Sequence, residues 1–133
     1  MTKKLFFLCI VGLFFSVSVY AACNGGTIVT AKSGTFCKSN VDMNWWSAAA
    51  WCKANGMKLA TMYEMCPTWD GTDGDNKCSE LSGSFSDCWH FAWSATASGS
   101  ENAYSVKLCD GDVNAHHNRK TPSDYDGYFA FCN

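Results

Sequence analysis

After a largely apolar start, the chain alternates between two hydrophobic periods, and each period predicts a type of element. Thr27-Ile28-Val29-Thr30 is β-branched and ends at the Ser33-Gly34 turn, so it predicts a strand that Thr35-Phe36 returns beside. The pattern then becomes helical. Asn44 is a good cap for Trp45 to Ala54, Asn55-Gly56 supplies a left-handed stop, and Trp45, Ala48, Ala49 and Cys52 recur at i, i+3, i+4 and i+7. A short second helix starts at Thr61, where Thr61-x-x-Glu64 is a capping box and Pro67 limits its extent.

Residues 67–88 lose periodicity: Asp70-Gly71-Thr72-Asp73-Gly74-Asp75-Asn76 is turn chemistry, and 79–87 is rich in Ser and Gly. Strand patterns resume in Trp89 to Ala95 and in Ala103 to Leu108, where Tyr104, Val106 and Leu108 alternate with smaller or polar groups. Asp110-Gly111 turns into a third strand over Asp112 to Ala115, and Gly127 to Cys132 closes the chain as a fourth. Helices early and strands late predict an α+β fold, two helices packed on a small twisted antiparallel sheet.

The first segment changes the cysteine arithmetic. Lys3 and Lys4, a 15-residue apolar run from Leu5 to Val19 and the small-residue site Val19-Tyr20-Ala21 read as an export signal over 1–21. As a helix that run reaches about 22 Å, short of the roughly 30 Å of bilayer hydrocarbon, so cleavage rather than membrane insertion is expected. Cys9 leaves with the signal, and the remaining domain, 22–133, holds an even set: Cys23, Cys37, Cys52, Cys66, Cys78, Cys88, Cys109 and Cys132. Such a set in a small exported chain predicts a disulfide framework and a secreted, periplasmic or cell-surface location. Cys23–Cys37 would staple the first hairpin, which two strands alone leave marginal. Tyr20-Ala21-Ala22 ahead of Cys23 is a poor lipoprotein signal, so a plain export product is expected.

Charge narrows the partner. Without Lys3 and Lys4, eight basic residues face twelve acidic ones. No basic stripe exists, and nucleic acid is not an expected partner.

In this order, the motifs carry a family likeness. Trp46-x-x-Ala49-x-x-Cys52-x-x-x-Gly56-x-x-Leu59-Ala60 resembles the first-helix signature of C-type-lectin-like domains, Trp93-Ser94-Ala95 is similar to that family's Trp-Ile-Gly strand, and Phe129-Ala130-Phe131-Cys132 to its closing strand. The likeness spans roughly 23–132. It implies two helices flanking a small antiparallel sheet with adjacent termini, and a Cys52–Cys132 bridge closing about 81 residues. Adjacency of the strands then favours Cys88–Cys109 and leaves Cys66–Cys78, with Cys66–Cys109 and Cys78–Cys88 as the rival set. The calcium-dependent members' Glu-Pro-Asn or Gln-Pro-Asp and later Trp-Asn-Asp are absent, Val113-Asn114 being at best a remnant of the last. The compact form of the fold, without the long calcium-binding loop, is what the likeness implies.

Candidate chemistry is sparse. Asp70, Asp73, Asp75 and Asn76 offer hard oxygens, as a calcium loop would, but miss the EF-hand spacing and lack its twelfth-position Glu; a solvated turn is the stronger reading, and no cofactor is expected. His116-His117, near Asp110, Asp112 and Asp124, would point to opposite faces of a strand and could not share a zinc ion. With His90 the only other histidine, no nucleophile elbow or paired carboxylates, and a disulfide partner conceivable for every cysteine, an enzyme is not expected. Trp45, Trp51, Trp89 and Trp93 read as core; Trp46, Trp69, Tyr125 and Tyr128 as candidates for exposed aromatics that stack on a ligand.

The segment 113–126 is long, polar and built around one proline. Asn114, His116, His117, Asn118, Arg119, Asp124 and Tyr125, with Trp69 from the 68–77 loop, are the expected ligand-binding residues. The expected function is a binding module that grips a glycan or protein surface without calcium. A structural or tip subunit of a larger extracellular assembly is the alternative, a small secreted enzyme or toxin a minor one.

Overall fold

The computed structural model describes residues 22–86, 88–119 and 127–133; the export signal expected over 1–21 lies outside them. Strands β1 (Gly26–Ala31) and β2 (Gly34–Ser39) form the first hairpin, followed by helices α1 (Trp45–Ala54) and α2 (Met62–Met65). Strands β3 (His90–Ala97), β4 (Asn102–Lys107) and β5 (Val113–Asn118) come next, and β6 (Gly127–Phe129) and β7 (Phe131–Cys132) end the chain. The protein is a small α+β fold.

Both helices begin where their caps place them. Asn44 Oδ1 accepts from the Ser47 N–H at 2.9 Å, and Gly56 takes the left-handed conformation (φ 72°) after α1. At α2 the capping box is complete: the Thr61 hydroxyl accepts from Glu64 N, and Glu64 Oε2 accepts from Thr61 N at 2.8 Å. Burial works against the Glu64 carboxylate, but the Lys58 ammonium and the Thr61 donors outweigh it and hold its pKa at about 2.

The single antiparallel sheet expected from the pattern is two sheets. β1-β2-β7 form one, entirely antiparallel; β5-β4-β3-β6 form the other, in which β3 and β6 run parallel. The cause lies at Ala130. Its N–H, freed from strand pairing, is taken by the Ser39 hydroxyl at 3.0 Å, while Ser39 N donates to the Ala130 carbonyl at 3.1 Å. The closing strand thereby leaves β3 and moves to β2. A buried backbone donor cannot stay unpaired, so Ser39, fully buried, is what permits the switch.

Residues 58–60 join the two sheets. Lys58 and Asn133 exchange backbone hydrogen bonds, Ala60 N donates to Phe131 O, and Ala95 N donates to Ala60 O. That last bond sits at the β3 bulge, where pairing with β4 shifts between Trp93 and Ala97. The joined surface has two faces, each with its own core. Phe36, Phe131, Ala92 and Val106 lie on one face with Met62 and Met65 of α2; Cys37, Cys132, Trp93 and Tyr128 lie on the other with Ala48 and Cys52 of α1.

Four disulfides tie this frame: Cys23–Cys37, Cys52–Cys132, Cys66–Cys78 and Cys88–Cys109. The rival set Cys66–Cys109 and Cys78–Cys88 is not formed. Two indoles pin the start of α1 onto β3, Trp45 Nε1 donating to Ser94 O (2.7 Å) and Trp93 Nε1 to Met43 O (2.8 Å).

Three expectations need correction. The 113–126 stretch is not loop throughout, because β5 pairs with β4 as far as Asn118↔Asn102. Trp89 is not core: it precedes β3, outside both packed faces, and is 64% exposed. The α1 stripe is only half covered, Ala48 and Cys52 being fully buried while Trp45 and Ala49 stay partly open.

Candidate functional site

The 70–78 loop is shaped by its own side chains. Asp70 Oδ1 accepts from the Thr72 N–H (3.0 Å) and hydroxyl (2.6 Å), and Lys77 Nζ lies 2.7 Å from Asp70 Oδ2. The Lys77 ammonium, then the Thr72 donors, hold the Asp70 carboxyl well below the usual carboxylate range. The loop is stitched to β5: Gly74 and Val113 exchange backbone hydrogen bonds of 2.9 Å, Cys78 N donates to Gly111 O, and Asn76 N donates to Asp112 Oδ1 at 2.8 Å. Residues far apart in the chain therefore meet along one line.

Between them lies a cleft of about 330 Å³, lined by Asp73, Asp75, Phe91, Lys107, Asp112 and Asn114 with the Gly74–Val113 bridge. Lys107 Nζ is 3.0 Å from Asp110 Oδ2 and 3.9 Å from Asp112 Oδ2, which orients the ammonium at the rim. His116 Nε2 stands 3.4 Å from Asp73 Oδ2, and the Asn114 side-chain oxygen accepts from His116 N. Carboxylate acceptors, amide and ammonium donors and one aromatic ring thus converge on a space large enough for a small polar ligand.

The expected site residues scatter. Asn114 and His116 reach this cleft or its rim, and the His116 side chain is 82% exposed. Asp124 and Tyr125 lie outside the described residues. Asn118 pairs with Asn102 at the far end of β5. Trp69 is overturned as a stacking platform: it is only 6% exposed, Tyr63 and Tyr104 pack on it at 5.2 and 4.8 Å, and its Nε1 donates to Thr72 O. Tyr128 is likewise buried, against Trp93.

His117 turns inward, opposite to His116, as strand alternation requires. Its Nδ1 is 2.5 Å from Ser105 Oγ and its Nε2 is 2.6 Å from Tyr128 Oη, with Phe91, Trp93 and Tyr128 edge-on around the ring. A neutral imidazole has one donor and one acceptor and can satisfy both hydroxyls. Burial, then the neighbouring His116, lower the His117 pKa to about 4. Its hydroxyl partner Ser105 is fully buried, so this histidine is tied into the packing of the second core.

Arg119 backs onto α1. Its guanidinium carbon lies 4.7 Å from the Trp45 ring and 6.0 Å from Trp46, and its carbonyl accepts from Trp45 N. Trp46, edge-on to Trp45, is 55% exposed.

Asp73 and Asp75 both line the cleft, but the three calcium candidates do not gather closely enough to share an ion. Asp70 is held by Lys77 and Thr72, while Asp73 faces His116. Among the described residues, the His, Cys, Asp and Glu threesomes close enough to share an ion are Cys66–Cys78–Glu80 and Cys88–Cys109–Asp110. Their sulfurs are joined as disulfides and have no thiolate to offer.

Sequence reasoning missed Phe91 and Lys107. Both positions fall in strands that the pattern predicts, and alternation puts Phe91 on the face of Trp93. Which end of that face stays uncovered is set only by where α1 and the 73–75 loop come to rest.

No helix among the described residues is long and apolar enough to cross a membrane. Compared with known proteins, the chain matches no protein-family model and no curated protein.

Proposed function

We propose that this chain is an exported binding module that recognises a polar ligand, a glycan or a protein loop, in the cleft between the 73–75 loop and β5. The observation that carries the reading is the Gly74–Val113 bridge, which gathers Asp73, Asp75, Lys107, Asp112 and Asn114 around Phe91 on a disulfide-tied frame. Neutral sugars are gripped by such a set, hydroxyls on carboxylates and amides, a ring face on an aromatic. Recognition in this reading is calcium-independent, with Asp112 engaging Lys107 and the Asn76 N–H and Asp73 facing His116.

The body that presents the cleft is, in our reading, a compact C-type-lectin-like domain. Three features support it: the Cys52–Cys132 tie between α1 and the last strand, β1 and β7 flanking β2 so that the ends meet, and one helix on each face. Non-reducing peptide mass analysis of the exported chain tests the body; any partner for Cys52 other than Cys132 rejects it.

A glycan array probed with and without chelator tests the function. The expected result is binding that survives chelation and falls roughly tenfold or more in Asp75→Ala and Asn114→Ala, each loss being one or two hydrogen bonds. Retention of full binding by both variants rejects the cleft.

A further inference from the structure

A second surface is independent of that cleft. Along α1, Trp45, Ala49 and Lys53 follow each other at i, i+4 and i+8 and form one wall of a groove of about 410 Å³. Met57, Leu59 and Ala95 form its apolar remainder, with Lys58 and Thr61 at the rim. This is the half-covered edge of the helix stripe, where Trp45 and Ala49 remain partly open.

One cation, Lys53, lines the groove, and another, Arg119, lies against the Trp45 ring that walls its opposite end. At the Trp45 end, the Arg119 guanidinium carbon lies 4.7 Å from the indole ring centre, and its buried Nε has no hydrogen-bond partner among the described residues. Among the described residues no carboxylate pairs with this guanidinium. At the other end stands Lys53, exposed and with no acid paired to it among the described residues, beside Lys58, which is already neutralised by Glu64 at 2.6 Å. In a chain whose acids outnumber its bases, an apolar groove with Lys53 on its wall and Arg119 behind the ring at its other end is a local inversion of charge. A guanidinium held beside a tryptophan ring still carries its outer N–H groups in the fixed fork that a carboxylate matches.

We propose that this groove docks an extended segment of a partner protein whose apolar centre is flanked by acidic residues. Eight helical residues separate Trp45 from Lys53, about 12 Å at 1.5 Å per residue. An extended peptide covers that span in about four residues, so its acids stand at i and i+4. A fatty acid, with one carboxylate, meets only one of the two ends.

The exported chain with its four disulfides is titrated, by fluorescence polarisation, into labelled heptapeptides with an apolar centre and either glutamates, serines or lysines at i and i+4. The expected result is binding of the glutamate peptide alone, weakened roughly tenfold by Arg119→Gln, by Lys53→Glu and by roughly 0.5 M salt, as for exposed charge pairs acting together. Lys53 is exposed, so Lys53→Glu tests the charge requirement even if Arg119→Gln disturbs the β5 end. Asp75→Ala, in the other cleft, leaves this binding unchanged. No binding of the glutamate peptide, equal binding of all three peptides, or an unchanged affinity in Lys53→Glu overturns the proposal. So does dodecanoate binding where the peptides fail, which assigns the groove to lipid. Dimerisation of the chain that Lys53→Glu abolishes assigns it to a second copy and overturns it as well.

Discussion

Two histidines, adjacent in sequence, show how far a residue's meaning depends on the side it faces. His116 is solvated beside Asp73, whereas His117 is wedged between two hydroxyls and three aromatic rings. Folding depresses the His117 pKa from 6.5 to about 4, so the folded state favours the neutral ring. The unfolded chain binds the extra proton first. Stability from this group is therefore complete above about pH 6.5 and is lost as pH falls toward 4. We expect the protein to be on the order of 1 kcal/mol less stable at pH 5 than at pH 7.5, allowing for screening of a ring that is not fully enclosed. Denaturant melts at the two pH values check this; the difference disappears in His117→Gln. That range lies above the one in which Glu64, Asp70, Glu80 and Asp110, all held low, take up protons.

Lys38 is a second buried ionisable residue that sequence gave no reason to single out. Its ammonium sits 3.5 Å from the Phe129 ring centroid and donates to Ser39 O, and burial lowers its pKa. Cation–π contact and one carbonyl replace the water it loses.

Among the elements, the short helix and the turn before β5 are the most exposed to single changes. Four residues cannot sustain a helix by propensity, so α2 depends on its cap and on Met62 and Met65 in the core. Thr61→Ala removes the cap and is expected to cost about 1 kcal/mol by equilibrium denaturation. Thr61→Ser keeps the oxygen and restores most of it. Gly111 has φ 79°, and a Cβ there would come within 2.2 Å of the Cys78 carbonyl oxygen, at the seam that joins the 70–78 loop to β5. Gly111→Ala is expected to cost roughly 2 kcal/mol or more, because strain and a backbone clash act together. The same variant should weaken any ligand held in the adjoining cleft, measured on the array.

For the whole molecule, one crosslink outweighs the others in reach. Cys52–Cys132 spans a sequence separation of 80 and ties α1 to the strand that joins the two faces. Chain-entropy reasoning assigns about 4–5 kcal/mol to a loop of that size. Replacing both cysteines with alanine is expected to lower the denaturation midpoint accordingly. The Cys66–Cys78 pair, with a separation of 12, should cost less in the same assay, about 3 kcal/mol. The hairpin staple and the early-helix, late-strand order were readable because both are local: a turn, a cap and a period act over a few residues.

What the chain determined by itself is the set of elements: α1 from Asn44 to Gly56 with its cap and stop, the α2 capping box, and the strands around Val29, Trp93 and Val106. Backbone geometry and side-chain period impose these within a few neighbours, so a one-dimensional pattern suffices. Only the tertiary structure decided that the closing strand divides at Ala130 between two sheets, that Trp69 and Tyr128 go inside while Trp89 stays out, and that Phe91 and Lys107 meet Asp73 and Asp75. Each of those outcomes depends on which surface another segment covers, and coverage is a property of the assembled cores, set by contacts between residues tens of positions apart.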